Sequence, residues 1–443
     1  MKILIITTYY APDTEIGAVR PTMFAKYLAN EGHNVTVLRS GMICSSVNEN
    51  YVKDNRIKVL SYMGENSPAE LFEREGLVYK TVSEKSRLRF FPQPVRRVIS
   101  GFYRKFFYPY FEFRQWKKRG EERFAIQQKI LNSLKNEDFD IVFSTYSEME
   151  NAYAGEYASK LFGCKWIMDF RDPIANWEFN NNWVFRRKKL LQDKTVEKAD
   201  ICTCVSKGLS ETLNINDDYN RIRVLYNGYE LIDSDADLFS DIQDKVFRIC
   251  YTGNIYSHST VASEALFEAI RKLIESKRMD ISKIEFIYAG NGGNIIRSIA
   301  KKYGVDCIFE DRGYVSKQET VRIQNMSDVF LVLSWNTKYG KGVLTGKFFE
   351  GIRAGKPMLA LISGDVPGSE LYELNQEYNY GFCYEIQNEE QHIEDLCNFL
   401  LTIYNEKIQN GRINFEHSAE FKSKFRYDNL TKELEKLCFD LLS

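Results

Sequence analysis

At 443 residues the chain is too long for one ordinary core and suits about two or three domains. Hydrophobic residues at 44% and charged residues at 27% are ordinary for a folded protein and exclude disordered and collagen-like classes. A net charge of -1 argues against a protein that lives on nucleic acid as a whole.

The opening run, MKILIITTYYAPD, is far too short for the apolar part of a secretory leader, and no stretch approaches the ~18 apolar residues of a spanning helix. Nine cysteines are scattered, with only Cys202 and Cys204 close together, which fits neither a disulfide framework nor a zinc pattern. A cytosolic protein with reduced thiols is expected. Short β-branched runs then alternate with amphipathic stretches, the pattern of βα units around parallel sheets. Strands are expected at 2–8, 34–40, 140–145, 165–170, 200–206 and 222–227, and then at 247–253, 283–290, 329–334 and 356–363. Each set suffices for its own doubly wound sheet. The expected organisation is an N-terminal domain over 1–230, an acidic polar linker over 231–245, a second α/β domain over 246–415, and one amphipathic helix over 416–443.

The first loop, YYAPDTEIGAVRPTMF, leads from a strand into a helix near Ala18. Its free amides would face the carboxyl end of the sheet, where open α/β sheets bind ligands and a helix start favours an anion. Gly17 would admit a close backbone approach and Arg20 would add a cation; an ordinary βα loop is the other reading. No G-x-G-x-x-G fingerprint is present to suggest a nicotinamide enzyme.

From Lys85 to Arg119, eleven Lys or Arg and eleven aromatics accompany a single acid, Glu112. Three readings suit this segment. It is a helix whose aromatics enter the core, a platform for single-stranded nucleic acid, or a membrane patch carried by Arg96, Arg97, Arg104, Lys105, Phe106, Phe107 and Trp116.

Further on, KWIMDFRDP places Asp169, Arg171 and Asp172 at the carboxyl end of a buried strand. As catalytic groups, the carboxylates could bind an acceptor hydroxyl or take its proton, and Arg171 could pair with a phosphate. An internal Asp–Arg salt bridge fixing the loop is the alternative. In the linker, DSDAD (233–237) has D-x-D spacing but stands away from any strand end and reads as a solvated loop.

The richest stretch is WNTKYGKGVLTGKFFEGIRAGKPMLAL. A helix is expected from about Thr345 to Ala354, closed by Gly355 and followed by Pro357. Lys347 and Glu350 share one helical face. A diphosphate could meet the amides of Thr345 and Gly346 and the ammonium of Lys347, while Glu350 could accept both hydroxyls of a ribose. That outlines a nucleotide-sugar site, against the plainer reading of a surface ion pair beside a glycine loop.

This run, with SDVFLVLS before it, resembles the donor-binding segment of the retaining GT-B glycosyltransferases of family four. The resemblance continues through GAVR, GHNVTVL, DFRDP, ADICTCVSKGLSE, VLYNGYE, YTGNIY, IYAGNG and GYVSKQE, and is greatest to the branch that builds bacterial surface polysaccharides such as capsule and lipopolysaccharide. It implies an α/β protein of the GT-B fold, two Rossmann-like doubly wound domains facing a central cleft, acting with retention and with no metal or other cofactor. It further implies that Glu350 holds the donor ribose, that Gly17 faces the diphosphate, and that Gly253, Asn254 and Asn291 form the adjoining loops. The first acid of the family's E-x7-E motif falls on Gly342, and the family's Arg and Lys have no counterpart in YTGNIYSHS. Lys341 or Lys347, with His258, is then expected to supply the cation. The family's catalytic His falls near Arg171.

The expected activity is transfer of a hexose or N-acetylhexosamine from a nucleotide-sugar to a lipid-linked glycan, on the inner face of the cytoplasmic membrane. Two other classes compete. A nucleic-acid-binding protein would use 85–119 but leaves the 342–357 loop unexplained, and a sugar-nucleotide epimerase of the same fold would want acid/base carboxylates and His in its cleft.

Overall fold

A computed structural model describes residues 1–41, 53–62, 108–176, 182–214, 221–230, 244–255 and 259–443. The basic residues Arg96, Arg97, Arg104 and Lys105, the aromatic pair Phe106 and Phe107, His258 and the DSDAD stretch lie outside the described residues.

The chain separates into two compact units. The first comprises Met1–Val205, Ser210–Leu225 and Thr431–Ser443, and the second Ser206–Leu209 and Tyr226–Leu430. In chain order the first unit opens with β1 (Lys2–Thr7), α1 (Ile16–Asn30), β2 (Asn34–Arg39) and β3 (Ile57–Ser61). It continues through α2 (Tyr108–Ser133), β4 (Ile141–Tyr146), α3 (Met149–Phe162), β5 (Lys165–Phe170), α4 (Asn182–Lys198) and β6 (Ile201–Cys204). Helix α5 (Lys207–Leu213) and strand β7 (Ile222–Val224) follow. Its seven strands run in the order β3-β2-β1-β4-β5-β6-β7, every pair parallel. Helices cover both faces of such a sheet, so its strands read as continuous apolar runs rather than alternating ones. All six residues of β4, Ile-Val-Phe-Ser-Thr-Tyr, are buried accordingly.

The second unit holds β8 (Phe247–Thr252), α6 (Ser263–Glu275), β9 (Ile284–Ala289), α7 (Gly293–Lys302), β10 (Phe309–Asp311) and α8 (Lys317–Met326). Then come β11 (Val329–Trp335), α9 (Gly346–Ala354), β12 (Met358–Ser363), α10 (Glu370–Tyr378), β13 (Gly381–Glu385), α11 (Glu389–Asn410), α12 (Ala419–Lys424) and α13 (Tyr427–Leu442), whose residues from Thr431 on belong to the first unit. The sheet order is β10-β9-β8-β11-β12-β13, again parallel throughout. Its core gathers Phe247, Phe267, Phe286 and Leu331 around the aliphatic faces of α6 and α11. Local chemistry ends and starts these helices. Ser316 and Ser369 cap α8 and α10 by accepting from the amides of Glu319 and Tyr372, and α9 stops at Gly355, whose φ of 65° is left-handed.

Both sheets reverse their winding beside the first strand, between β1 and β4 and between β8 and β11. Ligands of open α/β sheets bind off the carboxyl ends of the strands at such points. Each unit therefore presents one candidate rim.

One expected element differs. The tail is two helices, α12 and α13, because the backbone at Phe425 and Arg426 pairs elsewhere: Tyr229 N–H donates to Phe425 O at 2.9 Å and Tyr427 N–H to Tyr229 O at 3.2 Å. Among the described residues, no helix is long and apolar enough to cross a membrane.

Candidate functional site

In the first unit, the rim charges are largely consumed by the fold. Arg20 on α1 forms a two-pronged pair with Asp169 at the end of β5, through Nε to Oδ2 at 3.0 Å and Nη2 to Oδ1 at 2.7 Å, with the two side chains 2% and 0% exposed. The hydroxyls of Thr145 and Thr203 donate to the same carboxylate at 2.8 and 2.7 Å, and Arg20 Nη2 also donates to Leu225 O at 2.9 Å. A carboxylate so buried and so saturated with donors has no lone pair to offer an acceptor hydroxyl. Asp169 and Arg20 are thus the internal salt bridge, correcting the expectation that they meet substrate.

Arg171 and Gly17 are brought together at the rim. The guanidinium donates through Nη1 to Gly17 O at 3.0 Å. A Cβ on residue 17 would lie 2.9 Å from that Nη1 and 2.8 Å from Tyr9 Cδ2, so a glycine is what allows the approach. Asp172 is exposed.

The same rim carries a group that sequence reasoning missed. Glu150, in the first turn of α3, is 1% exposed and accepts from Tyr62 OH at 3.3 Å and Arg123 Nη1 at 3.4 Å. Burial, reinforced by neighbouring Glu148, pushes its carboxyl up to about 7, while Arg123 opposes the shift. Its signal was an acid just past a buried strand, in SEMEN.

Two helices of this unit form an aromatic and basic surface. Trp183 of α4 meets Tyr110 and Phe113 of α2 at ring centroid distances of 5.8 and 5.4 Å, and Phe113 meets Trp116 at 5.7 Å. Lys188 lies 4.6 Å over the Trp116 ring and Arg187 lies 5.6 Å over Trp183. Tyr110, Phe111, Trp183 and Leu190 remain exposed, beside exposed Arg114, Lys117, Lys118, Arg119, Arg186 and Arg187. Helix α2 thus both packs some aromatics inward and leaves others at the surface.

In the second unit, Gly253, Lys347 and Glu350, three of the residues expected at the donor site, come together. Helix α9 begins at Gly346 with Thr345 at its cap position, yet Thr345 Oγ1 is buried and has no hydrogen-bond partner among the described residues. Lys347 Nζ donates to both oxygens of Glu350, at 2.7 and 2.8 Å, and the two side chains stay 22% and 26% exposed. Gln324 Nε2 donates to Glu350 Oε2 at 2.6 Å and to Thr252 Oγ1 at 2.8 Å, and Arg353 Nη2 donates to Gln324 Oε1 at 2.6 Å. The loop after β8 closes on the lysine: Gly253 has φ 136°, and a Cβ there would fall 2.6 Å from Lys347 Cε. Only glycine serves at that backbone angle and that distance. The next loop abuts it, with Tyr288 OH donating to Gly253 O at 2.9 Å and Ile255 N–H to Asn291 O at 3.3 Å. The side chains of Asn254 and Asn291 are exposed on this rim.

Gly342, where the resemblance expects an acid, has no room for one. Its φ is 63°, and a Cβ would lie 2.7 Å from Gly208 N and 2.8 Å from Glu370 Oε2. Glu370 is buried, accepts from Tyr226 OH at 2.8 Å and Lys207 N–H at 2.9 Å, and is pushed up to about 7 by burial. A carboxylate already fills the space that a side chain at 342 would need. Lys341 beside it is exposed.

Among the described residues, no three His, Cys, Asp or Glu side chains are grouped to hold a metal ion. His33 bonds Glu435 at 2.7 Å, His392 stacks on Tyr372, and His417 is buried beside Phe415 and Phe421.

No protein-family model matches the sequence, and no curated protein matches it. Solved structures do. The catalytic domain of starch synthase IV from Arabidopsis thaliana, bound to ADP and acarbose, is similar with a TM-score of 0.57 at 12% identity, over 99% of each chain. HepE from Anabaena, in complex with UDP-glucose, gives 0.55 at 12%, over 99% of this chain and 100% of that one. The lipopolysaccharide outer core galactosyltransferase WaaB gives 0.55 at 13%, over 99% of each. At such identities the likeness establishes the fold, the two Rossmann-like parallel-sheet domains of GT-B proteins.

Proposed function

We propose that the chain is a glycosyltransferase that moves a hexose or N-acetylhexosamine, with retention, from a nucleotide-sugar to a lipid-linked glycan in bacterial surface-polysaccharide synthesis. The observation that carries this reading is the second rim, where a lysine and a carboxylate on one helical face meet two glycine-bearing loops at the winding reversal. It is supported by the fold neighbours, among them a protein solved with UDP-glucose and a galactosyltransferase of lipopolysaccharide.

In this reading the diphosphate meets the first amides of α9, the Thr345 hydroxyl and Lys347, and the ribose meets Glu350. Preorganised cations and helix amides stabilise the charge that develops on the leaving diphosphate, the expected largest contribution to catalysis. Lys341 adds a second cation, and the transfer needs no metal. The first unit takes the acceptor, with Arg171 and Asp172 at its rim. The cationic and aromatic face of α2 and α4 supports a peripheral position on anionic lipid at the cytoplasmic face, with aromatics at headgroup depth and cations beside them.

The test is thermal shift of the pure protein with UDP-, GDP-, dTDP- and CMP-sugars, repeated with Glu350→Ala. One nucleotide class should stabilise the wild type and fail to stabilise the variant; an unchanged response in the variant would remove Glu350 from the site. EDTA should leave transfer intact. Co-sedimentation with vesicles of anionic lipid should fall with salt and with Trp183→Ala plus Arg187→Ala. Equal binding to neutral vesicles, or tighter binding of single-stranded oligonucleotide, would sink the membrane assignment.

A further inference from the structure

We infer that Gln324, backed by Arg353, is a positioning residue that makes the second rim select ribonucleotides over deoxyribonucleotides, by holding the Glu350 carboxylate toward the two hydroxyls of a ribose. The inference rests on the nucleotide-sugar reading of that rim and adds to it the residue that sets its sugar specificity.

The orientation follows from donor and acceptor counting. Gln324 is wholly buried on α8, and its amide is fully used: Oε1 accepts from Arg353 at 2.6 Å, while Nε2 donates to Thr252 and Glu350 at 2.8 and 2.6 Å. A guanidinium only donates, so the amide oxygen must face Arg353 and the amide nitrogen must face the carboxylate. A flipped amide would set oxygen against carboxylate and nitrogen against guanidinium, both repulsive. Arg353 therefore fixes Gln324, and Gln324 fixes Glu350 Oε2.

The carboxylate has room for a diol once its lysine is drawn off. An ionised carboxylate offers about four acceptor positions. Lys347 occupies one on each oxygen and Gln324 a second on Oε2. When a diphosphate attracts the Lys347 ammonium, one position opens on each oxygen, and adjacent 2′ and 3′ hydroxyls can take both. Gln324 keeps the carboxylate from following the lysine. A 2′-deoxyribose fills only one position, so it loses a hydrogen bond to a charged group.

The experiment is calorimetric titration of the full chain with UDP and 2′-deoxy-UDP, and with GDP and 2′-deoxy-GDP, for the wild type, Gln324→Met and Arg353→Met. The wild type should prefer the ribonucleotide about tenfold, the usual worth of a hydrogen bond to a charged group. Gln324→Met should cut that preference to about twofold or less by weakening the ribonucleotide alone, and Arg353→Met should cut it part-way by freeing the amide to flip. A variant that keeps the full preference, or that weakens both sugars equally, overturns the positioning role. If Gln324→Met does not fold, an undiminished preference in Arg353→Met overturns it instead. A wild type that binds nucleotides without preference removes the ribose reading and this inference with it, whereas one that binds none of the four removes the nucleotide site itself.

Discussion

The two rims are built from one plan and spend their charges differently. In the first, Arg20 and Asp169 are sealed under the strand ends and bonded on every side. In the second, Lys347 and Glu350 are as close to each other but remain about a quarter exposed. A buried pair pays for its desolvation with full hydrogen bonding and is then unavailable to a ligand. A partly exposed pair keeps displaceable partners. Burial, more than residue type, separates the charge that is locked into the fold from the charge that is left accessible at a rim.

That contrast can be broken at four places. Arg20→Met leaves the Asp169 carboxylate buried without its cation, so urea denaturation should show a loss of about 3–5 kcal/mol. A loss below about 1 kcal/mol would mean that the first rim is not locked. Next, Gly342→Glu, which places an acid where the E-x7-E resemblance expects one, should destabilise by about 2 kcal/mol or more, from a strained backbone angle and a clash with Gly208 and Glu370. Gain of activity without loss of stability would show that the 342 loop is free to move.

The third concerns pH. Glu150 is raised from an ordinary 4.5 to about 7, so the folded chain holds a proton there that the unfolded chain has released. Its contribution is complete below about pH 4.5 and is lost as pH rises through 7, a change on the order of 3 kcal/mol. Glu150→Gln should abolish that slope, so its denaturation midpoint should gain on the wild type between pH 5 and pH 8. Glu370 contributes with the same sign, which is why the single variant is compared with the parent. Parallel profiles would assign the pH response elsewhere. Smallest of all is the effect of Glu350→Ala on stability, about 0.5 kcal/mol because the pair is partly exposed to solvent, even as the nucleotide-induced thermal shift disappears.

The sequence carried the central strands and the second rim further than the rest. Runs such as KWIMDF and VFLVLS are buried on both faces and could hardly be anything else, and β5 occupies the expected 165–170. The strands β3, β10 and β13 escaped because they are edges, short and only partly covered, without a continuous apolar run. Around Glu350, the glycines and the i,i+3 spacing were legible since they are local. Gln324 was not: it stands 26 residues away, and its only sign is a polar side chain on a buried helical face. Arg20 and Asp169 show the opposite failure, for their chemistry was legible while their burial, set by a helix and a strand that pair residues 149 apart, was not.

The break at Phe425 and Arg426 has a consequence for how the chain is made. After it, α13 returns the last residues to the first unit, where Leu434 and Cys438 are buried and Glu435 bonds His33. The first unit is thus finished by a segment that comes after the whole of the second unit in the chain. Until that segment is made, its sheet must wait with the seat of α13 uncovered, and a chain stopped at Leu430 would keep that seat permanently open to other chains.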